Sequence, residues 1–139
     1  MHKILIADDE PNIVISLEYL LKREGYEVVV ARDGQEALDL VASAQPDLVL
    51  LDVMMPRKTG LEVCQAVRAN EALHHTRILM LTAKGRETDV TKGLALGANA
   101  YMTKPFSTQE LVQKIAELLA DRADTADGAD GADGAEGPA

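Results

Sequence analysis

The chain has 139 residues, enough for one domain with its own core and too few for two ordinary ones. Apolar residues make up 47%, with three Tyr, one Phe and no Trp, so branched aliphatics and Ala have to fill the core. Of the net charge of −9, residues 123–139 hold five acids and no base, leaving 18 acids against 14 bases, a net −4, on residues 1–122; neither part offers the basic face that nucleic acid or anionic lipid needs, and neither is expected as a partner.

In chain order, the first apolar run is Ile4–Ala7, far too short before Asp8-Asp9-Glu10 for a signal-peptide core. Behind Pro11, a good first-turn residue, Ile13, Leu17, Leu20 and Leu21 form a helical face. Val28–Ala31 reads as a second strand, and Asp33-Gly34-Gln35-Glu36 as the capped start of the next helix. Leu48–Leu51 is the third strand, and Thr59-Gly60-Leu61-Glu62 is a capping box opening a third helix. Cys64 shares that helix's face with Leu61 and Val67, a packing position. As the single cysteine it excludes an internal disulfide, and no Cys/His spacing resembles a zinc site.

Ile78–Leu81 is the fourth strand. Over 86–96, Thr88, Thr91 and Gly93 weaken the helical pattern, so a mobile or short element is expected there. Ala100–Met102 is a weaker fifth strand. Ser107-Thr108-Gln109-Glu110 then caps a helix whose face is Leu111, Ile115, Leu118 and Leu119. From Ala123 the composition changes: Ala-Asp-Gly recurs at 126–128, 129–131 and 132–134. The boundaries expected are therefore a folded domain over 1–122 and an acidic, disordered tail over 123–139. No run approaches the roughly 20 apolar residues of a membrane span, and a cytoplasmic protein is expected.

The strand runs are continuous rather than alternating, as in strands covered on both faces. Five strand–helix units in strict alternation predict an α/β fold: a doubly wound, five-stranded parallel sheet in strand order 2-1-3-4-5 with helices on both faces.

Ligands of such sheets bind beyond the carboxyl ends of the strands, near the point where strand order reverses. Strand 1 runs into Asp8 and Asp9, strand 3 into Asp52, strand 4 into Thr82 and strand 5 into Lys104-Pro105. Two unit charges about 4 Å apart cost roughly 4 kcal/mol at an effective dielectric near 20, so this cluster must protonate or find a cation. Hard oxygen ligands with room for water suit Mg²⁺, while a lysine and a hydroxyl suit phosphate oxygens. The pattern is that of a phosphoryl site with a carboxylate acceptor.

Asp8-Asp9, Asp52-Val53-Met54-Met55-Pro56 with Gly60, Thr82-Ala83 and Lys104-Pro105-Phe106 together resemble the motifs of two-component response-regulator receiver domains, over about residues 2–120. The resemblance implies the flavodoxin-like, CheY-like fold of a single-domain receiver. It implies that Asp52 is the nucleophile toward phosphohistidine on a sensor histidine kinase or a histidine phosphotransfer protein. It further implies that Asp9 and Asp52 ligate Mg²⁺ with the Met54 carbonyl, and that Asp8 acts mainly through water. Lys104 would pair with Asp52 and then with the phosphoryl group, which Thr82 would also bond. Tyr101 would turn inward as Thr82 moves, and the Lys104–Pro105 peptide would be cis.

In that family the loop of Phe106 and the first turn of helix 1 (Asn12, Ile13) help dock the kinase. Output to a downstream protein is expected through helix 4, strand 5 and helix 5. Asn99 and Ala100 stand where the transcription-factor branch carries the acids of a salt-bridged dimer face, which argues against that dimer. Lys84 and Met54 flank the site and are expected to tune the lifetime of the phosphorylated form.

Three rivals stand beside this reading. A Mg²⁺-dependent phosphohydrolase with an Asp nucleophile would carry Asp-x-Asp, whereas Val53-Met54 follows Asp52. A nucleotide-binding domain would carry a Gly-rich loop after strand 1, where Asp8-Asp9-Glu10-Pro11 stands instead. A receiver-like scaffold that is never phosphorylated would have no need of every chemical position. The protein is thus expected to be a phosphoacceptor and not a turnover enzyme.

Overall fold

Strands that are apolar along both faces need cover on both sides, and the chain supplies it by alternating strand and helix. The computed structural model describes residues 2–83 and 85–128. The elements are β1 (Lys3–Ala7), α1 (Pro11–Arg23), β2 (Glu27–Ala31), α2 (Gly34–Ala44), β3 (Leu48–Asp52), α3 (Gly60–Ala69), β4 (Arg77–Ala83), α4 (Glu87–Ala95), β5 (Ala100–Lys104) and α5 (Thr108–Gly128). A 3₁₀ turn, Glu71–Leu73, precedes β4. The five strands are parallel in the order β2-β1-β3-β4-β5, as expected.

Side chains alternate across a strand, and the core divides accordingly. Ile4, Ile6, Leu48, Leu50, Leu79 and Leu81 face α1 and α5, meeting Val14, Leu17, Leu21, Leu111 and Ile115. Leu5, Val49, Leu51, Ile78 and Met80 face the other way, onto Val41 of α2 and Val63, Cys64 and Val67 of α3. On α1 the innermost face includes Val14, while Ile13 is half-buried.

The expected helix starts are present. Asp33 accepts from the Glu36 N–H at 2.8 Å, although the Glu36 carboxylate turns to the Arg32 N–H at 2.7 Å. The Thr59–Glu62 box is complete, and Ser107 Oγ accepts from the Glu110 N–H at 3.0 Å.

The short element expected over 86–96 is the nine-residue helix α4, with Gly93 lying against Met80 and Leu61. Two outcomes differ in detail from the sequence pattern. Strand β5 runs on to Lys104, because its polar residues still pair along β4 as far as Ala83↔Lys104. Helix α5 continues to Gly128, past the boundary expected after residue 122. Ala123 and Ala126 are strong helix formers, so a solvated composition does not by itself stop a helix. The tail expected over 129–139 lies outside the described residues. Among the described residues no helix is long and apolar enough to cross a membrane.

Candidate functional site

Register carries the polar residues to one rim. Ala7 pairs with Leu51, so Asp8, the next residue along, stands level with Asp52 on the neighbouring strand. Asp52 pairs with Leu81, which sets Thr82 one step further on, and Ala83 pairs with Lys104. All five expected residues therefore reach the carboxyl edge of the sheet where β2 and β3 diverge on either side of β1.

The carboxylates of Asp8, Asp9 and Asp52 converge, with one oxygen of each lying within 4.8 Å of the others. Asp8 is buried and Asp52 is nearly so, while Asp9 is exposed. Lys104 Nζ reaches into this group. It donates to Asp8 Oδ2 at 3.1 Å and to Glu10 Oε1 at 3.4 Å, and lies 3.6 Å from Asp52 Oδ1.

Burial, and then the Asp8 and Asp9 charges, push the Asp52 carboxyl up to about 6, against the pull of Lys104 and of the Met54 N–H at 3.2 Å. Burial works against the Lys104 ammonium too, but the charges of Asp52 and Asp8 and the bonds to Asp8 and Glu10 leave its pKa above the ordinary value. One ammonium among four acids leaves negative charge uncompensated, and three converging carboxylates are the hard oxygen donors that suit a divalent cation. Beside them Thr82 Oγ1 is buried. Its one hydrogen bond among the described residues is a 3.5 Å contact with Ala83 O, so the hydroxyl has little to give up when a ligand oxygen arrives.

The family description "Response regulator receiver domain" matches residues 4–116. The chain belongs to the response regulator receiver-domain family. Solved relatives agree in sequence and in shape. A protein assigned as a response regulator from Chloroflexus aurantiacus is 39% identical with a TM-score of 0.82, the match covering 86% of this chain and 98% of that one. The chemotaxis response regulator CheY4 of Vibrio cholerae is 36% identical with a TM-score of 0.80, over 85% of this chain and 98% of that one. The receiver domain of the Francisella response regulator 1452 is 30% identical with a TM-score of 0.80, over 87% and 98%. This receiver is thus a phosphoacceptor of two-component signalling, with the doubly wound fold of that family.

Other positions singled out in the sequence of this receiver fall as follows. Met54 lies two residues after Asp52 with its side chain half-exposed; Lys84 lies outside the described residues. Tyr101 sits on the edge strand β5, 45% exposed. The Lys104–Pro105 peptide is cis, and Phe106 and Ile13 pack partly into the core beside α1 and α5. Cys64 is fully buried among α3 packing residues, and burial raises its thiol pKa against the nearby Arg68 charge, so it stays an inert thiol.

Two site residues escaped the sequence reading. Glu10 was seen there as the third acid of a run, with no sign that it bonds Lys104, 94 residues away. In the sequence Gly34 marks only a capped helix start. A Cβ there would lie 2.0 Å from Lys58 O, so only glycine lets α2 press against the loop following Asp52. Glycine immediately after a cap residue was the available signal.

Proposed function

We propose that Asp52 is the residue that takes the phosphoryl group, from a phosphohistidine on a sensor histidine kinase or a histidine phosphotransfer protein. The observation that supports this reading best is the convergence of Asp8, Asp9 and Asp52 within 4.8 Å, with the Lys104 ammonium among them. Asp52 is a buried carboxylate at the end of the central strand β3, held by a strand end and by the Met54 N–H, so its free oxygen can be aimed in line.

Asp9 and Asp52, with the Met54 carbonyl and with Asp8 through water, are the groups that would hold Mg²⁺. The ion would neutralise charge on the transferring phosphoryl group. The chain's own residues do the rest. Lys104 adds a point charge for one phosphoryl oxygen, and the Thr82 hydroxyl donates to another. The bond from phosphorus to the donor's histidine nitrogen breaks as the bond to an Asp52 oxygen forms. No proton need leave Asp52 when it is ionised.

Movement of Thr82 toward the phosphoryl group would draw Tyr101 inward and alter the surface formed by α4, β5 and α5, the face proposed for the downstream protein. We infer a cytoplasmic setting from the ATP that charges a histidine kinase. The test is phosphate-affinity electrophoresis after acetyl phosphate and Mg²⁺. Wild type should shift and Asp52→Asn should not; equal labelling of the two would place the acceptor elsewhere.

A further inference from the structure

Glu10 occupies the N-cap position of α1, yet its side chain caps nothing. An N-cap side chain usually accepts a hydrogen bond from the first turn, and Asp, Asn, Ser and Thr suit that task better than the longer Glu. Here the carboxylate reaches instead to Lys104 Nζ at 3.4 Å, while the Glu10 N–H donates to Asp8 Oδ1 at 2.9 Å. Backbone and side chain of one residue thus hold the two partners of the Asp8–Lys104 pair.

An ammonium has three protons. Two of those of Lys104 are committed to Asp8 and Glu10, and Asp52 is left at 3.6 Å, outside hydrogen-bond range. The two hydrogen-bonded acceptors differ in what water offers them. The Asp8 side chain is fully buried, whereas that of Glu10 is 60% exposed and can be rehydrated cheaply.

We propose that Glu10 is a positioning residue for Lys104: it holds the ammonium toward the solvent side of the acidic cluster, off the Asp52 oxygens, until a metal ion and a phosphoryl group claim them. This rests on the reading of Asp52 and its neighbours as the cation-binding phosphoacceptor site. Without the Glu10 carboxylate, the anionic partners left to Lys104 are Asp8 and Asp52. It then competes with the cation for Asp52.

The experiment is a set of calorimetric titrations of the full chain with Mg²⁺ alone. Glu10→Gln should weaken binding about three- to fivefold, the range a solvent-screened ion pair supports. In a Lys104→Met background the same change should weaken it by less than about twofold. Equal losses in both backgrounds would mean that Glu10 acts only through its general field, and the proposal would fall.

Glu10→Asp separates reach from charge. It keeps the charge, is one methylene shorter, and gains a favoured cap, so it should bind Mg²⁺ as weakly as Glu10→Gln while unfolding at a higher temperature than that variant. Wild-type affinity in Glu10→Asp would also overturn the proposal. Asp52→Asn keeps the two ideas apart. If it binds Mg²⁺ as wild type does, the site reading itself is wrong; if it loses binding while Glu10→Gln changes nothing, only the role of Glu10 is lost.

Discussion

Lys104 and Asp8, 96 residues apart, meet at 3.1 Å across the rim of the sheet, a tighter pair than the 3.6 Å contact of Lys104 with Asp52. The side chain of Asp8 is fully buried and that of Lys104 is mostly so. A buried carboxylate that loses its cation is costly to keep ionised. Lys104→Met should therefore destabilise the fold by about 2 kcal/mol or more in metal-free urea unfolding, short of the full cost of a sealed pair because Lys104 touches water. Saturating Mg²⁺ should recover part of the loss by binding the folded state alone. An unchanged unfolding midpoint would show that Asp8 is satisfied without the ammonium.

Asp52 carries a stability cost that pH reveals. Its folded pKa of about 6 lies above the ordinary 3.8, so the folded protein holds that proton more tightly than the unfolded chain does. The cost is complete above about pH 6 and fades as pH falls toward 3.8. Asp52→Asn removes it, and should stabilise the metal-free protein by about 3 kcal/mol at pH 7 and by almost nothing below pH 4. Thermal melts of both proteins in chelator at the two pH values check this. A gain that is the same at both would refute it.

Gly60 is the residue on which the loop after Asp52 closes, its N–H donating to Val53 O at 2.9 Å. A Cβ there would lie 2.3 Å from Asp52 O and 2.8 Å from Val53 Cα, both backbone atoms that cannot step aside. Gly60→Ala should cost about 2 kcal/mol or more and should also slow labelling by acetyl phosphate, because the backbone that yields is that of Asp52 itself. Wild-type labelling kinetics in a destabilised variant would show that the loop relaxes without disturbing Asp52.

On the far side of the sheet Arg68 ties α3 to the turn before β5. Its Nε donates to Gly97 O and its Nη2 to Asn99 Oδ1, each at 2.9 Å, and its stem packs where a Gly97 Cβ would stand. Asn99 Oδ1 also accepts from the Ile78 N–H at 2.8 Å. Arg68→Ala should cost about 1–2 kcal/mol by taking the donor from Gly97 O and the packed stem from α3, while Asn99 Oδ1 keeps the Ile78 N–H. Asn99→Asp keeps both bonds and adds a charge, so it should be neutral or stabilising by up to about 1 kcal/mol. Paired denaturant curves decide; a destabilised Asn99→Asp would mean that the Asn amide nitrogen is needed.

Residue pattern alone was enough for the architecture and for the identity of Asp8, Asp9, Asp52, Thr82 and Lys104 as rim residues. Continuous apolar runs, helix caps and strict alternation are local properties, and a parallel doubly wound sheet leaves few ways to join them. Once the strand ends are known, the register of such a sheet brings the residues following them to one edge. The length of α5 was less legible, since the Ala-Asp-Gly composition that reads as solvated is also partly helix-forming.

What folding alone decided is which acid owns the lysine. No spacing says whether Lys104 bonds Asp8, Glu10 or Asp52, because all three stand within reach of one flexible side chain and differ only in burial and in what else each carboxylate bonds. The same holds for Gly34 and Gly60, whose need for a bare Cα comes from backbone atoms of another element. Local sequence encodes periodicity and caps. Distances between side chains of remote strands, and hence the sharing of one proton donor among several acceptors, arise only when the sheet is assembled.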